Sequence, residues 1–354
     1  MQELLNKINN YIKNDQKFAT ATVTNTWGSG PRPIGSMMLI GEDGTMSGSV
    51  SGGCVEGAVV RLSAEVLRGN VPKLVTFGVS DEEAWSVGLS CGGSIEVFIE
   101  PFFAFAAPKM WSILRGCLEQ NDGAILLTKL NENKSEHCLF LPNSNELIFE
   151  DANMNLVENE LIDINDFLIK NANEAFEQRR TKKLETLNND TWFAQVFPPK
   201  HQLIIIGAAH ITVDLVHLAH YFSFETTVID PRGIFANKTD FPTPPHALHV
   251  DWPAEILSEM TLDAYTYVVL LTHDPKIDDQ ALHLLLRSKV AYIGALGSKK
   301  THEKRVNRLL NAGFLTEEIA KINAPVGVNI NAKSAREIAV SIIGALIKVK
   351  NEYL

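Results

Sequence analysis

Apolar and polar positions follow two different rhythms along this chain. From Phe18 to Pro101, short apolar stretches separated by glycine ("FATATVTNTW", "SMMLIGEDGTMSG", "KLVTFGV", "GGSIEVFIEP") predict strands joined by tight turns, with an Asp43-Gly44 turn inside the second. One helix interrupts them, with Val55, Val59, Leu62 and Val66 on one face and a stop at Gly69-Asn70. Ahead of the strands, Leu4, Leu5, Ile8 and Ile12 form a helical stripe broken by polar residues, unlike the continuous apolar core of a signal peptide. The stretch 107–197 is more polar. It predicts a helix near Trp111 to Gln120, strands at "GAILLTKL" and "HCLFLP", and a charged helix around "NANEAFEQRRTKKLE".

Pro198-Pro199 then makes a stiff connector, since neither residue can donate to a ladder. Beyond it, "QLIIIGAAHITVDLVHLAHYFSFETTVIDPRG" reads as a strand buried on both faces, a glycine turn, a helix with Ile211, Leu215, Leu218 and Phe222 inward, and a second strand ending at Asp230. Further strands at "YTYVVLLTHD" and "VAYIGALGS" alternate with helices. The fold class is therefore α/β, an N-terminal mixed α+β domain followed by a C-terminal Rossmann-like, doubly wound parallel sheet. The expected domains are 1–197 and 201–354, with 106–197 open between part of the first domain and a linker or extension. No internal repeat is visible.

Composition narrows the function classes. A chain of 354 residues with 45% hydrophobic side chains can bury a sizeable core, and a formal charge of -10 without a concentrated basic cluster argues against a nucleic-acid grip. No apolar run reaches bilayer-spanning length. Cys54, Cys91, Cys117 and Cys138 lie far apart with no C-x-x-C spacing, which suggests a reducing cytoplasm rather than a disulfide framework.

The densest chemistry is in "GSGPRPIGSMMLIGEDGTMSGSVSGGCVEGAVV". Gly52 and Gly53 leave backbone N–H groups exposed in this reading, Ser51 caps the following helix, and Cys54 falls in its first turn. A thiolate so placed is a nucleophile and a soft metal ligand. Cys91 repeats the setting against Gly92-Gly93, and Arg32 between two prolines offers a guanidinium fork for a phosphate. The alternative is that Cys54 and Cys91 are small fillers in tight turns, a description that suits Cys117 and Cys138 better.

In the second half, the dinucleotide fingerprint G-x-G-x-x-G aligns with Gly207, Ala209 and Thr212, so only the first glycine is present. Asp230 lies about 20 residues on, where a ribose-binding acid belongs. Gly207 and Asp230 either serve a nucleotide or merely make a turn and end a strand. His273 and Asp274 are either a ligand or acid-base pair or a helix-capping turn. A cleft beyond the strand ends would gather Gly207, Asp230, His273, Asp274 and Gly297. His210, Asp214 and His217 read as a solvated helix face, and His246, His249 and Asp251 have no closed zinc-site spacing.

These residues also resemble a known family. "GSGPRPIGSMML", "GSVSGGCVEG" and "SCGGSIEVFIEP" are similar to the N-terminal signature of the XdhC/CoxI family, accessory proteins of xanthine dehydrogenase. "LIIIGAAH", "VIDPR", "LLTHDPKIDDQAL", "YIGALGSKKTHEKRVNRL" and "PVGVNINAKSAREIAVSI" extend the resemblance through the second half. It is weakest from about Ala107 to Lys200, and Gly207-Ala208-Ala209-His210 departs from the family's G-A-G-H.

The resemblance implies a chaperone for the molybdenum cofactor (molybdopterin), with Cys54 as the cofactor-handling cysteine; the family does not carry the role to Cys91, and we extend it there from the repeated setting of a cysteine beside two glycines, as a second molybdenum contact. The implied partners are an apo-molybdoenzyme of the xanthine dehydrogenase type and a cysteine desulfurase-type sulfurtransferase, with a homo-oligomer, such as a dimer, expected and no nucleic acid or membrane. Two other readings stay open, an NAD(P)-dependent oxidoreductase using the C-terminal domain and a regulatory nucleotide-binding protein.

Overall fold

The computed structural model describes residues 1–28, 32–78, 93–150, 158–186, 188–233 and 241–352, in two units, Met1–Pro199 and Lys200–Leu354. In the first unit, helix α1 (Leu5–Lys13) precedes strands β1 (Phe18–Trp27), β2 (Met37–Gly41) and β3 (Met46–Gly48), helix α2 (Glu56–Gly69), and strands β4 (Lys73–Phe77) and β5 (Ser94–Pro101). The same succession then recurs as α3 (Pro108–Gln120), β6 (Ala124–Lys129), β7 (Glu136–Leu141), β8 (Glu146–Ile148), α4 (Glu158–Glu177), β9 (Lys182–Glu185) and β10 (Thr191–Phe197). Each half builds an antiparallel sheet of the same order, β3-β2-β1-β5-β4 and β8-β7-β6-β10-β9. The repeat is one of topology, in a chain whose sequence showed no visible internal repeat.

Strand alternation sets the layers. Ala21, Val23, Met38 and Ile40 face Val55, Val59 and Val66 on and beside α2. Phe18 and Leu39 face the other way, in one core with Ala124, Leu126 and Leu139 of the second sheet. Ile125 and Leu127 turn toward Leu168, Ala172 and Ala175 of α4. The helix expected around "NANEAFEQRRTKKLE" instead ends at Glu177. Arg179 turns the chain in the left-handed region (φ 52), and Lys182–Glu185 pairs with β10.

The second unit runs β11 (Gln202–Ile206), α5 (His210–Tyr221), β12 (Glu225–Ile229), β13 (Ala247–His249), α6 (Pro253–Glu259), β14 (Thr266–Leu270), α7 (Pro275–Leu285), β15 (Tyr292–Ala295), α8 (Lys299–Asn311), α9 (Thr316–Ile319), β16 (Ile322–Asn323) and α10 (Ala335–Asn351). Its sheet is wholly parallel with order β13-β12-β11-β14-β15-β16, the Rossmann arrangement, and its topological switch point lies between β11 and β14. Leu203 and Ile205 pack toward α5 and α10, Ile204 and Ile206 toward α6 and α7, so the strands are apolar on both faces.

Helix α5 buries Thr212, Leu215, Val216 and Ala219. Of the expected inward set, Ile211 and Leu218 are only partly buried, and Phe222 lies past the helix end and is exposed. The reason is that α5 packs on α10 as well as on the sheet, which rotates its buried face toward the smaller residues. Among the described residues no helix is long and apolar enough to cross a membrane.

Candidate functional site

The loop from β3 to α2 is organised by a carboxylate that the sequence reading passed over. Buried Glu56 accepts through Oε1 from Ser49 Oγ (2.7 Å) and from the N–H groups of Val50 (3.3 Å) and Ser51 (3.0 Å). Its Oε2 accepts from Ser51 Oγ (2.5 Å) and the Gly53 N–H (2.9 Å). Ser51 Oγ in turn accepts the N–H groups of Cys54 (3.0 Å) and Val55 (2.9 Å), and Ser49 Oγ accepts that of Gly52 (2.8 Å). Burial alone would raise the Glu56 carboxyl, but donation from Ser51 and Ser49 and from backbone N–H outweighs it and holds the group at about 2.

Two sequence expectations change in consequence. The amides of Gly52 and Gly53 are not held open for a ligand, because every N–H from Val50 to Val55 is engaged within the loop. Helix α2 begins at Glu56 after an N-cap Val55 that makes no side-chain bond, so Ser51 caps the preceding turn and Cys54 stands ahead of the helix. The glycines serve backbone shape instead. Gly52 (φ +75) and Gly53 (φ +118) occupy conformations that L side chains avoid, and among the described residues no atom beyond their chain neighbours lies within 4 Å of where a Cβ would sit. Cys54 is therefore a half-buried thiol, packed against the α2 side of the core on a braced loop.

Arg32 is exposed, and Gly93 is buried just before β5. Cys91 and Gly92 lie outside the described residues. Cys117 in α3 is half-buried with its thiol pushed up by burial and by Asp122, and Cys138 in β7 is fully buried with its thiol pushed far up by burial. Both are therefore poor nucleophiles.

In the second unit, Gly207, Asp230, His273 and Asp274 all follow the carboxyl ends of β11, β12 and β14. Gly207 (φ +107) packs so tightly that a Cβ would lie 2.7 Å from Thr272 Cγ2. Thr212, at the fingerprint's third glycine, is fully buried and donates through Oγ1 to the Gly207 carbonyl (2.5 Å). Asp230 is fully buried and saturated. It accepts from the Ala208 N–H (2.8 Å), the Arg232 N–H (2.9 Å), and Arg232 Nε (2.9 Å) and Nη2 (2.8 Å). Burial pushes its carboxyl up, but these donors hold it below the usual aspartate range. Asp274 caps α7 by accepting the Lys276 N–H (2.9 Å), with Pro275 in the first turn, whereas His273 is exposed.

Asp214 pairs with Arg336 (3.7 Å), His217 Nδ1 bonds Thr243 Oγ1 (2.8 Å), and His246 Nδ1 accepts the Thr226 N–H (3.0 Å). Among the described residues, no group of three or more His, Cys, Asp or Glu side chains could hold a metal ion. Besides Glu56, the sequence reading gave no site role to the basic row of α8. Its signal was the "GSKKTHEKRVNR" spacing, which puts Lys300, Lys304 and Arg308 on one face.

Residues 11–78 match the XdhC and CoxI family, and residues 203–346 match the XdhC Rossmann domain. The chain is 27% identical to a probable xanthine dehydrogenase subunit of Bacillus subtilis (strain 168), over 96% of this chain and 95% of that protein. It is 24% identical to the molybdenum cofactor insertion chaperone PaoD of Escherichia coli (strain K12), over 93% of this chain and 82% of the relative. A crystal structure of a xanthine dehydrogenase from Bacillus halodurans superposes with a TM-score of 0.74 and 28% identity, covering 99% of this chain and 96% of the other.

Proposed function

The chain belongs to the XdhC and CoxI family, and from that premise we propose that it binds the molybdenum cofactor, protects it during sulfuration and delivers it to an apo-molybdoenzyme of the xanthine dehydrogenase type. An accessory role for a molybdoenzyme is supported by the similarity to a cofactor insertion chaperone along almost the whole chain. A cysteine desulfurase-type partner as the sulfur source belongs to the same reading.

The observation that carries the proposal is the setting of Cys54. Its thiol, unlike those of Cys117 and Cys138, is neither on a helix interior face nor deeply buried, and it sits on a loop braced by Glu56. That donor set fits a molybdenum or terminal-sulfur contact. It does not fit capture of the cofactor's phosphate by loop amides, since those amides are engaged. Exposed Arg32 is the first unit's candidate for that phosphate. When bound, the cofactor brings the molybdenum centre that the recipient enzyme uses. This chain's residues bind it and keep it from water.

The C-terminal unit acts in this proposal as a scaffold rather than a nicotinamide site. Asp230, the residue placed for a ribose, already spends both carboxylate oxygens on Arg232 and backbone.

The test is molybdenum and pterin content of protein purified anaerobically from cells that make the cofactor, for wild type, Cys54→Ala and Cys138→Ala. Cys54→Ala removes little packing and should lose at least about tenfold in retained molybdenum with a near-wild-type melting temperature, whereas Cys138→Ala should retain metal but unfold earlier. Wild-type protein free of molybdenum and pterin would sink the carrier reading. Full retention by Cys54→Ala would remove the thiol from it.

A further inference from the structure

We infer that the N-terminal end of α8 forms a phosphate-binding site in the second unit, built from Lys300, Lys304 and the buried guanidinium of Arg305. It stands independently of the cofactor reading, since it uses none of the residues around Cys54. A cleft of ≈ 230 Å³ opens beyond β14 and β15, between Thr272-His273 and the first turns of α8. Its wall includes Ser298, Lys300, Thr301, Lys304, Arg305 and Arg308.

Three observations converge on an anion there. Helix α8 is 13 residues long and is capped by Ser298, whose Oγ accepts the Thr301 N–H (3.2 Å). The amides of Lys299 and Lys300 in its first turn have no acceptor within the helix, and the positive end of the macrodipole faces the cleft.

Second, Arg305 is 2% exposed and incompletely satisfied. Its Nη2 donates to Asp278 Oδ2 (3.3 Å) and to the Leu296 carbonyl (3.0 Å), but Nε and Nη1 have no acceptor among the described residues. Donors of a buried cation left unmet are costly, so an acceptor supplied from the cleft completes the arrangement.

Third, the charges do not cancel. Asp278 is paired with Arg305, and Asp279 holds Arg308 through two bonds (2.6 and 3.0 Å), while exposed Lys300 and Lys304 make no ion pair among the described residues. The cleft therefore carries a surplus of two positive charges.

Volume limits what the site takes. Sites that enclose a whole drug-sized ligand run to roughly 300–1,000 Å³, so ≈ 230 Å³ suits the phosphate end of a ligand whose remainder lies outside. The shared chemistry is a phosphate monoester or diphosphate, whether carried by a nucleotide or by a phosphorylated pterin.

Inorganic pyrophosphate titrated calorimetrically into the full chain at low salt should bind at one site per chain and weaken as salt is added. Lys300→Gln combined with Lys304→Gln, both exposed and harmless to folding, should weaken it at least about tenfold. Arg305→Lys keeps the charge but removes the unmet donors and should weaken it similarly, with thermal unfolding checked in parallel. No saturable pyrophosphate binding, or equal affinity in the lysine double variant, would overturn the site, and the lysine pair decides even if the Arg305 variant does not fold. Adenosine diphosphate, which carries the same diphosphate group, binding tighter than pyrophosphate assigns the phosphate to a nucleotide, and weaker binding assigns it to another phosphate carrier.

Discussion

Replacing Glu56 by glutamine tests whether the Cys54 loop is held by its internal carboxylate. The substitution keeps the shape but puts an uncharged amide among five donors, two hydroxyls and three backbone N–H groups. Holding the carboxyl at about 2 rather than 4.5 corresponds at most to about 3.5 kcal/mol, at about 1.4 kcal/mol per unit. Water reaches the exposed Gly52 side of the loop, and its screening reduces the figure to roughly 1–2 kcal/mol. Because the folded pKa is depressed, this stabilisation is fully present above 4.5 and is lost as pH falls toward 2. At pH 7 the variant's Ser51, Gly53 and Cys54 amides should exchange with solvent about 5–30-fold faster than wild type's. The gap should start to close once pH drops below 4.5. Equal protection at pH 7, or a gap that does not narrow on acidification, would refute the carboxylate as the brace.

In the second unit, Asp230→Asn should lower stability by about 2 kcal/mol at pH 7 through loss of charge-assisted bonds to Arg232 and Ala208, read by urea unfolding; the difference should begin to shrink below pH 3.8, where the unfolded chain's carboxyl takes up a proton first, and vanish as pH falls through the depressed folded value. Gly207→Ala should cost about 1–3 kcal/mol, since it forces an L side chain to φ +107 and a Cβ to within 2.7 Å of Thr272; a melting temperature equal to wild type would show that the turn relaxes freely. Titration with NADH should show no micromolar binding, because Thr212 and the Asp230–Arg232 pair fill the positions a dinucleotide needs, and tight binding would revive the oxidoreductase reading.

The second unit was legible because its chemistry is local. Strands such as β11 and β14 are buried on both faces and therefore read as unbroken apolar runs, and each is followed directly by a helix, the one after β14 capped by Asp274. The misplacement of Phe222 arose where one helix touches both a sheet and another helix, a contact that periodicity along α5 alone cannot register. The duplicated halves of the first unit were invisible for a different reason. Strand order is a long-range property, and many residue patterns satisfy the same buried alternation. At the site, glycine density correctly marked the Cys54 loop, but the destination of each N–H depends on Glu56 folding back by three to six residues. Nothing in a pattern of small residues announces that return.

The two turns with the strongest anion-binding appearance share one arrangement. In the β3–α2 loop the amides converge on Glu56, and at the β11–α5 turn the Ala208 N–H and Arg232 converge on Asp230. In each, a carboxylate of the chain occupies the position where a phosphate oxygen would otherwise accept those bonds, and both carboxyls are held below their usual range by that donation. A ligand phosphate at either place would have to displace a fully bonded internal acid and break the bonds that acid now accepts. At α8 the relation is reversed: the buried acid Asp278 satisfies only one nitrogen of Arg305, and Nε and Nη1 are left over. By this reasoning the first loop is a rigid mount for a thiol and the Gly207 turn a structural joint, whereas at the end of α8 an external anion gains bonds without breaking any.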